Sequence, residues 1–207
     1  MGYVAVVDYG MGNLDSVRRA FEVLGATVRV TGDPADLAGA DRIVLPGVGA
    51  FGVAMENLRA RGLDEALTEQ VIALGAPFLG ICLGMQLMAT TGREHGDHRG
   101  LGWVPAVVDR LVATPSDPRI PHVGWNEVDP VAVHPLFVGV EPQRDFYFVH
   151  SFHVRCDDPA SVVATTPYAG GFASVIGAGS GVAFGVQFHP EKSQRVGRTL
   201  LENFLKV

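Results

Sequence analysis

A chain of 207 residues, 47% of them hydrophobic, is long enough to form one domain with a sizeable core and leaves no room for a second catalytic domain. Its formal net charge of -6 argues against nucleic acid or an anionic membrane as a partner, because either would favour a basic face. Cys82 and Cys156 do not suggest a disulfide framework, and free thiols fit a reducing compartment. The beginning, MGYVAVVDYG, lacks the basic region of a signal peptide, so we expect a cytoplasmic location.

The first half of the chain alternates between strand-type and helix-type segments. The Val-rich stretch 3–8 predicts a strand, and the amphipathic stretch 14–24 predicts a helix that ends at Gly25. The next predicted elements are strands at 26–31 and 41–45 with a short helical turn between them, helices at 51–61 and 63–74, and a strand at 77–81. This alternation implies a parallel sheet with helices on both faces.

The second half has a different pattern of residues. From about residue 100 to residue 186, short apolar runs stand among Gly, Pro and Asp, which predicts antiparallel strands and hairpins, and 194–207 predicts a final helix. The apolar stretch 71–89 has the length of a membrane span, but Pro77 and three glycines interrupt it, so it predicts a buried parallel strand followed by a packed helix. We therefore expect one α/β domain over residues 1–207, with a mixed, mostly parallel central sheet and antiparallel hairpins in the second half.

Cys82 stands where the predicted strand at 77–81 meets the following helix, within the frame GICLG at residues 80–84. This G-x-nucleophile-x-G frame has the form of a nucleophile elbow, with sulfur in place of a serine oxygen. The flanking glycines allow a sharp turn, because a Cβ at either position would crowd the bend. Such a turn points the positive end of the helix at the sulfur and lets the Leu83 N–H serve as an oxyanion donor. Alone, however, this frame is more typical of a small buried hydrophobe.

A candidate base comes late in the chain, where an apolar strand-type run ends in FHPEK at residues 188–192. In extended backbone, His189 and Glu191 point to the same side, so the carboxylate can hold one imidazole nitrogen while the other faces outward. Pro190 fixes φ between them. A histidine at a strand end is often only structural. A cysteine nucleophile requires this arrangement of base and orienting acid, so the elbow and the His-x-Glu pair together point to nucleophilic catalysis.

Six motifs spread over the chain resemble the class I glutamine amidotransferases. They are DYGMGNLDSV at 8–17, LPGVGAF at 45–51, GICLGMQLM at 80–88, GWN at 124–126, YFVHSF at 147–152 and FGVQFHPEKS at 184–193. The elbow and FHPE mark the superfamily. DYGMGN, PGVGAF and GWN are similar to one branch of it, the glutaminase subunits of imidazole glycerol phosphate synthase in histidine biosynthesis.

The resemblance implies a flavodoxin-like fold and hydrolysis of L-glutamine to glutamate and ammonia through a cysteinyl thioester, without metal or organic cofactor. It implies a catalytic triad of Cys82, His189 and Glu191. It also implies that Val48, in the Gly-rich turn with Gly49, donates the second oxyanion hydrogen bond, although from the residues alone this turn could equally be an ordinary strand exit. The other residues implied at the substrate are Gln86, one helical turn beyond the nucleophile, and His150, Ser151 and Phe152.

Released ammonia points to a partner protein, because free ammonia in neutral water is mostly protonated and no longer nucleophilic. The resemblance implies a heterodimer with a (β/α)₈ cyclase subunit, which receives ammonia through a channel and makes imidazole glycerol phosphate and an aminoimidazole carboxamide ribotide. It implies that partner binding reorients a peptide of the 47–49 turn. The implied contacts with the cyclase are Asn13, Trp125, Asn126, Tyr147 and Lys192.

The remaining histidines and the second cysteine fit structural roles. His95 and His98 lack further ligands at zinc spacing, and His122 and His134 are expected to be structural. Cys156 stands beside two aspartates, whose charges raise a thiol pKa and make it inert. Three other functions stay open: the glutaminase of another amidotransferase, a different thiol hydrolase, and a binding module without catalysis.

Overall fold

A central sheet with helices on both faces organises the computed structural model, which describes residues 2–141, 145–179 and 181–207. The strands are β1 (Val4–Val7), β2 (Val28–Thr31), β3 (Arg42–Gly47), β4 (Phe78–Cys82), β5 (Ala89–Gly92), β6 (His98–Arg99), β7 (Val104–Arg110), β8 (His122–Glu127), β9 (Asp129–Pro130), β10 (Asp145–His150), β11 (Phe152–Cys156), β12 (Val162–Thr166), β13 (Phe172–Ala178) and β14 (Ala183–Val186). The helices are α1 (Leu14–Val23), α2 (Phe51–Ala60), α3 (Leu63–Thr68), α4 (Leu83–Gln86) and α5 (Gln194–Phe204).

Within the described residues the central sheet has eight strands in the order β2-β1-β3-β4-β14-β13-β12-β9. The first five strands are parallel, and the remaining pairings are antiparallel. β14 therefore lies parallel to β4, which corrects the expectation of antiparallel strands as far as residue 186. All four residues of β14 are buried, as suits a strand covered on both faces. Its position brings the segment that follows it, with His189, beside Cys82.

Two smaller sheets accompany the central one among the described residues. β8 pairs with β10 in antiparallel fashion. A further sheet has the order β11-β7-β5-β6, in which β5 and β7 are parallel and the other pairs antiparallel. The hairpin-rich second half predicted from its turn residues is thus present, with one parallel pair that the sequence pattern does not reveal.

Alternate residues of the buried strands face two hydrophobic cores, as the two-residue period of a strand requires. On β1, Val6 belongs to the core that contains Phe21 of α1 and Phe204 of α5. Ala5 belongs to the other core, with Met55 of α2 and residues of α3. Helices therefore cover both faces of the sheet, and the predicted α/β class is confirmed.

Two predicted helices differ from the observed ones. The helix expected after Cys82 is a single turn, α4, because the chain returns to a strand at Ala89, where two β-branched threonines follow. The predicted helix at 63–74 is α3 continued by a π-helical turn, Glu69–Ala73. α1 ends as predicted, since Gly25 adopts a φ of 83°. Among the described residues, no helix has both the length and the apolar character that crossing a membrane requires.

Candidate active site

The carboxyl ends of neighbouring parallel strands converge at one edge of the central sheet, the usual place for a ligand in an open α/β fold. Cys82 is the last residue of β4, and its register partner is Gly47, the last residue of β3. His189 follows shortly after the end of β14, which lies on the other side of β4. Strand order thus brings together residues that are far apart in the chain.

Cys82 occupies a sharp and strained turn. Its φ of 55° and ψ of -107° are rare for a residue with a side chain. A Cβ on Gly84 would lie 1.8 Å from the carbonyl oxygen of Leu45, and one on Gly80 would lie 2.6 Å from that of Gly84. The elbow geometry predicted from the frame is therefore present. α4 is only one turn long, so the helix macrodipole expected at the sulfur is weak, and the oxyanion role of the Leu83 N–H stays a prediction.

His189 and Glu191 form a buried pair, with Nδ1 of the histidine 2.8 Å from Oε1 of the carboxylate. The predicted contact is confirmed, but its expected cause is wrong. Glu191 does not continue an extended strand. It lies in a 3₁₀ turn, Pro190–Lys192, that begins directly after His189. The turn folds the carboxylate back onto the imidazole, so a local contact forms by a different backbone route.

The electrostatics of His189 favour its protonated form. Burial alone would lower its pKa, but the interactions with Cys82 and Glu191 outweigh burial and raise the pKa of His189 to about 9. Its Nε2 is buried and interacts with Cys82, but no hydrogen bond of normal geometry joins it to a described residue. Oε2 of Glu191 is likewise buried without a partner among the described residues. A buried donor without a partner is ready to deliver a proton to a bound molecule.

A cleft of about 520 Å³ opens beside Cys82. All residues predicted for the oxyanion hole and the substrate line it: Val48, Gly49, Leu83, Gln86, His150, Ser151 and Phe152. Val48 and Leu83 directly follow the register pair of Gly47 with Cys82, so both backbones flank the sulfur. The cleft is large enough for a free amino acid. The structure thus brings the predicted residues together, while their individual roles stay predictions.

The family model described as Glutamine amidotransferase class-I matches residues 5–207. The chain belongs to the class I glutamine amidotransferase family. Its membership and the resemblance drawn from the motifs are thereby confirmed, and it is an enzyme.

Two similar bacterial proteins are named imidazole glycerol phosphate synthase subunit HisH. The one from Symbiobacterium thermophilum is 48% identical over 204 residues, which cover 99% of this chain and 93% of that protein. The one from Salinibacter ruber is 46% identical over 203 residues, covering 96% of this chain and 92% of that protein.

Solved structures show the same fold at lower identity. A crystal structure of a glutamine amidotransferase superposes with a TM-score of 0.76 at 18% identity, covering 99% of this chain and 98% of that chain. PurLQS from Thermotoga maritima gives a TM-score of 0.77 at 18% identity, with the same coverage.

Two polar residues of the amidotransferase site were missed by the sequence analysis. Gln187 is fully buried, and its Nε2 donates to the Cys82 sulfur at 3.6 Å. Glu94 lines the cleft, and its Oε2 accepts the N–H of Phe51 at 2.8 Å. A polar residue inside the apolar run that precedes His189 was an available signal for Gln187. No local pattern marks Glu94, because folding alone brings it to the cleft.

Gln86 uses its amide nitrogen within the protein. Its Nε2 donates to the carbonyl oxygen of Phe152 and to Oε1 of Gln187, both at 3.0 Å. Its predicted contact with the substrate is therefore left to the amide oxygen, which accepts a hydrogen bond.

The predicted partner contacts include an aromatic cluster on the pair β8 and β10. Trp125 is 46% exposed and meets Tyr147 edge to face, with ring centroids 5.8 Å apart. Lys192 lies over the Tyr147 ring, with Nζ 5.8 Å from the centroid. Asn13 is exposed at the start of α1, which packs beside the 190–192 turn.

The same surface is joined to the triad. The backbone N–H of His189 donates to the carbonyl oxygen of Tyr147 at 2.9 Å. The Ser193 hydroxyl accepts the N–H of Tyr147 and donates to the carbonyl oxygen of His189. A strand that carries a predicted partner contact thus holds the backbone of the predicted base.

Cys156 lies on β11, away from the elbow. Burial, together with the charges of Asp157 and Asp158, raises its pKa to about 11. The predicted rise is confirmed, although burial contributes more than the two charges. Its thiol is protonated at neutral pH and is a poor nucleophile.

Proposed function

We propose that this amidotransferase is the glutaminase subunit of an imidazole glycerol phosphate synthase, which releases ammonia from L-glutamine for a (β/α)₈ cyclase partner. The single observation that carries the proposal is the strained Cys82 elbow beside the buried His189–Glu191 pair, at a cleft of amino-acid size. Similarity to HisH subunits over nearly the whole chain supports the choice of synthase.

The first half-reaction forms a thioester. The Cys82 thiolate attacks the side-chain amide carbon of glutamine, and the carbonyl π electrons move to the oxygen. When the tetrahedral intermediate collapses, the carbon–nitrogen bond breaks and the nitrogen takes the proton of His189 Nε2. Because the His189 pKa of about 9 keeps the imidazole protonated at neutral pH, the proton is in place before the substrate arrives.

The developing oxyanion needs donors that are fixed before the reaction. The Leu83 N–H follows the nucleophile directly, and the Val48 N–H follows its register partner on β3. Gly49, with a φ of 107°, sets the turn that presents Val48. We assign the oxyanion hole to these two N–H groups. Reorientation of the 47–49 turn on partner binding fits this assignment.

The second half-reaction restores the enzyme. Neutral His189 takes a proton from water, whose oxygen attacks the thioester carbon. Collapse of the second intermediate breaks the carbon–sulfur bond and returns the thiolate. The new γ-carboxyl group loses its proton to solvent as glutamate leaves, and His189 keeps the proton that it took from water. Glu191 holds Nδ1 throughout and stabilises the imidazolium that both half-reactions use.

Recognition of the amino-acid end of glutamine falls to the other side of the cleft. Glu94 presents a carboxylate there and uses Oε2 to accept the Phe51 N–H, which holds the group in place. A carboxylate in this position attracts the α-ammonium group of the substrate. The Ser151 and Phe152 backbones complete the wall next to the scissile amide.

Ammonia must leave toward a protein that uses it. The exposed Trp125, with Tyr147 and Lys192 beside it, forms an anchor of the type common in protein interfaces, where aromatic residues carry much of the binding energy. Asn13 and Asn126 extend this surface. We assign it to the cyclase and infer a heterodimer.

The test is glutamine hydrolysis by the purified chain, alone and with an equimolar (β/α)₈ cyclase and its ribonucleotide ligand. We expect low activity alone, a strong rise with the liganded partner, and none in Cys82→Ala. High activity that does not change when the cyclase is added would support glutamine hydrolysis but contradict the assignment to imidazole glycerol phosphate synthase. Absence of activity under every condition would overturn the catalytic role of Cys82.

A further inference from the structure

A run of hydrogen bonds leads from the surface strand β8 into the active site. Nδ2 of Asn126 lies 3.2 Å from Nε2 of His122, and Nδ1 of His122 lies 3.1 Å from Nε2 of His150. Nδ1 of His150 lies 2.8 Å from the carbonyl oxygen of Phe152. Both histidines are buried, at 3% and 6% exposure, so the bond between them is shielded from water.

The run continues to the nucleophile. The Phe152 carbonyl oxygen also accepts from Nε2 of Gln86 at 3.0 Å. The same nitrogen donates to Oε1 of Gln187 at 3.0 Å, and Nε2 of Gln187 donates to the Cys82 sulfur at 3.6 Å. We call the whole series, Asn126–His122–His150–Phe152–Gln86–Gln187–Cys82, the buried relay.

The direction of every bond in the histidine part follows from chemistry. A carbonyl oxygen only accepts, so Nδ1 of His150 carries its proton and Nε2, in a neutral ring, accepts from Nδ1–H of His122. Nε2 of His122 then accepts from the Asn126 amide. The orientation of that amide is set independently, because Oδ1 of Asn126 accepts the N–H of Glu127 at 2.9 Å.

Both rings are neutral at physiological pH. Burial lowers the pKa of His122 to about 4, and burial lowers that of His150 to about 3, although the Phe152 carbonyl opposes the shift at His150. The His122 ring is also clamped by stacking on Tyr168, with centroids 3.9 Å apart, and on Phe148, at 4.8 Å. It cannot turn without losing these contacts, so its hydrogen-bond polarity is fixed.

We propose that His122 is a positioning residue. Through the buried relay it aligns Gln187 on the Cys82 sulfur, so that a contact made at Asn126 changes the reactivity of Cys82. The effect of His122 on glutamine hydrolysis rests on the proposed function, whereas its effect on the reactivity of the Cys82 sulfur does not.

Nδ1 of His150 and Nε2 of Gln86 both donate to the Phe152 carbonyl oxygen, so the relay transmits position rather than polarisation. Removing the His122 link releases His150 and with it the Phe152 carbonyl, so Gln86 and Gln187 are less well aligned on the sulfur.

The test measures the alkylation rate of Cys82 by iodoacetamide at neutral pH, in a Cys156→Ser background that leaves one thiol. His122→Phe retains the stacking and removes both hydrogen bonds, Gln187→Met removes the last donor, and Asn126→Ala removes the first. We expect Gln187→Met, which removes the hydrogen bond to the sulfur, to slow alkylation about tenfold or more, and His122→Phe, which only misaligns that bond, to slow it about threefold to tenfold. Asn126→Ala shifts the rate in the same direction by less.

Controls separate positioning from general loosening. His134→Phe makes the same substitution at a half-buried histidine outside the relay, whose Nδ1 accepts the Leu136 N–H, and should leave the rate unchanged. His122→Gln, which has an amide donor and acceptor, should recover part of the rate. The double variant His122→Phe/Gln187→Met should react no more slowly than the slower single variant, because both break one series of bonds.

Wild-type rates in the relay variants, or effects that multiply in the double variant, overturn the proposal. Thermal unfolding of each variant shows whether it is folded, and the half-buried Asn126 provides a milder break if a buried substitution unfolds the chain. Alkylation needs neither glutamine nor cyclase, so a relay effect without glutaminase activity would contradict the proposed function alone. In active protein, His122→Phe should lower kcat with little change in KM.

Discussion

Nδ1 of His189 lies 2.8 Å from Oε1 of Glu191, and the two side chains are only 3% and 1% exposed. Removing two charges from water is costly, so a buried pair of this kind needs good geometry and further hydrogen bonds to the surrounding protein. The backbone bonds of His189 to Tyr147 and Ser193 provide that support. The backbone of His189, the predicted base, is thus fixed by the strand that carries part of the predicted partner surface.

Glu191→Gln should lower kcat about 10²-fold or more, because the imidazolium loses its counter-charge while the amide still fills the site. KM for glutamine should change little, since Glu191 does not line the cleft. Steady-state glutaminase kinetics with the liganded cyclase measure both. Glu65→Gln, at an exposed position on α3, is the matched control and should behave as wild type. A wild-type kcat in Glu191→Gln would contradict the role of Glu191 as the acid that orients His189.

The raised pKa of His189 predicts a pH dependence of stability. The folded value of about 9 lies above the ordinary value of 6.5, so the proton binds more tightly in the folded state. This contribution is fully present below pH 6.5 and is lost as pH rises toward 9. Urea unfolding across this window should show the loss, and His189→Gln should lack this component. NMR titration of the imidazole checks the pKa directly, and a midpoint near 6.5 would contradict the interactions with Cys82 and Glu191 as the cause of the raised pKa.

Gly84→Ala should prevent the elbow from forming. The added Cβ would lie 1.8 Å from the Leu45 carbonyl oxygen, and backbone cannot move aside as a side chain can. We expect a loss of stability of more than about 3 kcal/mol, in the range of severe core substitutions. Denaturant unfolding measures it. Gly179→Ala, where a Cβ meets no atom within 4 Å, should be near neutral. Equal stability of the two variants would contradict the close approach.

Glu94→Gln should raise KM for glutamine about tenfold to a hundredfold, because a charged partner of the α-ammonium group is replaced by a neutral one. The amide oxygen can still accept the Phe51 N–H, so the cleft keeps its shape. Comparison with glutaramate, which is glutamine without its amino group, sharpens the test. The wild type should strongly prefer glutamine, and the variant should lose most of that preference. If Glu94→Gln preferred glutamine over glutaramate as strongly as the wild type does, the α-ammonium group of the substrate would not bind at Glu94.

Trp125→Ala should weaken binding of the cyclase by about 2 kcal/mol or more, as expected for an aromatic anchor. Its 46% exposure in the isolated chain means that folding loses little from the truncation. Calorimetric titration with the cyclase measures the affinity. Val133→Ala, at a fully exposed apolar position, is the control and should bind normally. A wild-type affinity in Trp125→Ala would show that the cyclase does not bind at the Trp125 surface of β8.

Features that depend on a few neighbouring residues could be predicted from the sequence. The GICLG frame determines the elbow, because close backbone contacts at Gly80 and Gly84 leave no room for side chains. His189 and Glu191 meet because they are two residues apart, and they do so even though the backbone is a 3₁₀ turn rather than a strand. The hydrophobic periods likewise give the strands and helices of the first half.

Features that join distant residues were decided only by the tertiary structure. β14 lies beside β4 because their apolar surfaces fill the centre of the sheet, and this placement brings His189 and Gln187 to Cys82. Glu94 reaches the cleft, and His122 reaches His150, through packing that no local pattern encodes. The sequence by itself therefore predicted the nucleophile and its base and determined the family. The strand order, set by burial across the whole sheet, decided which polar side chains surround them.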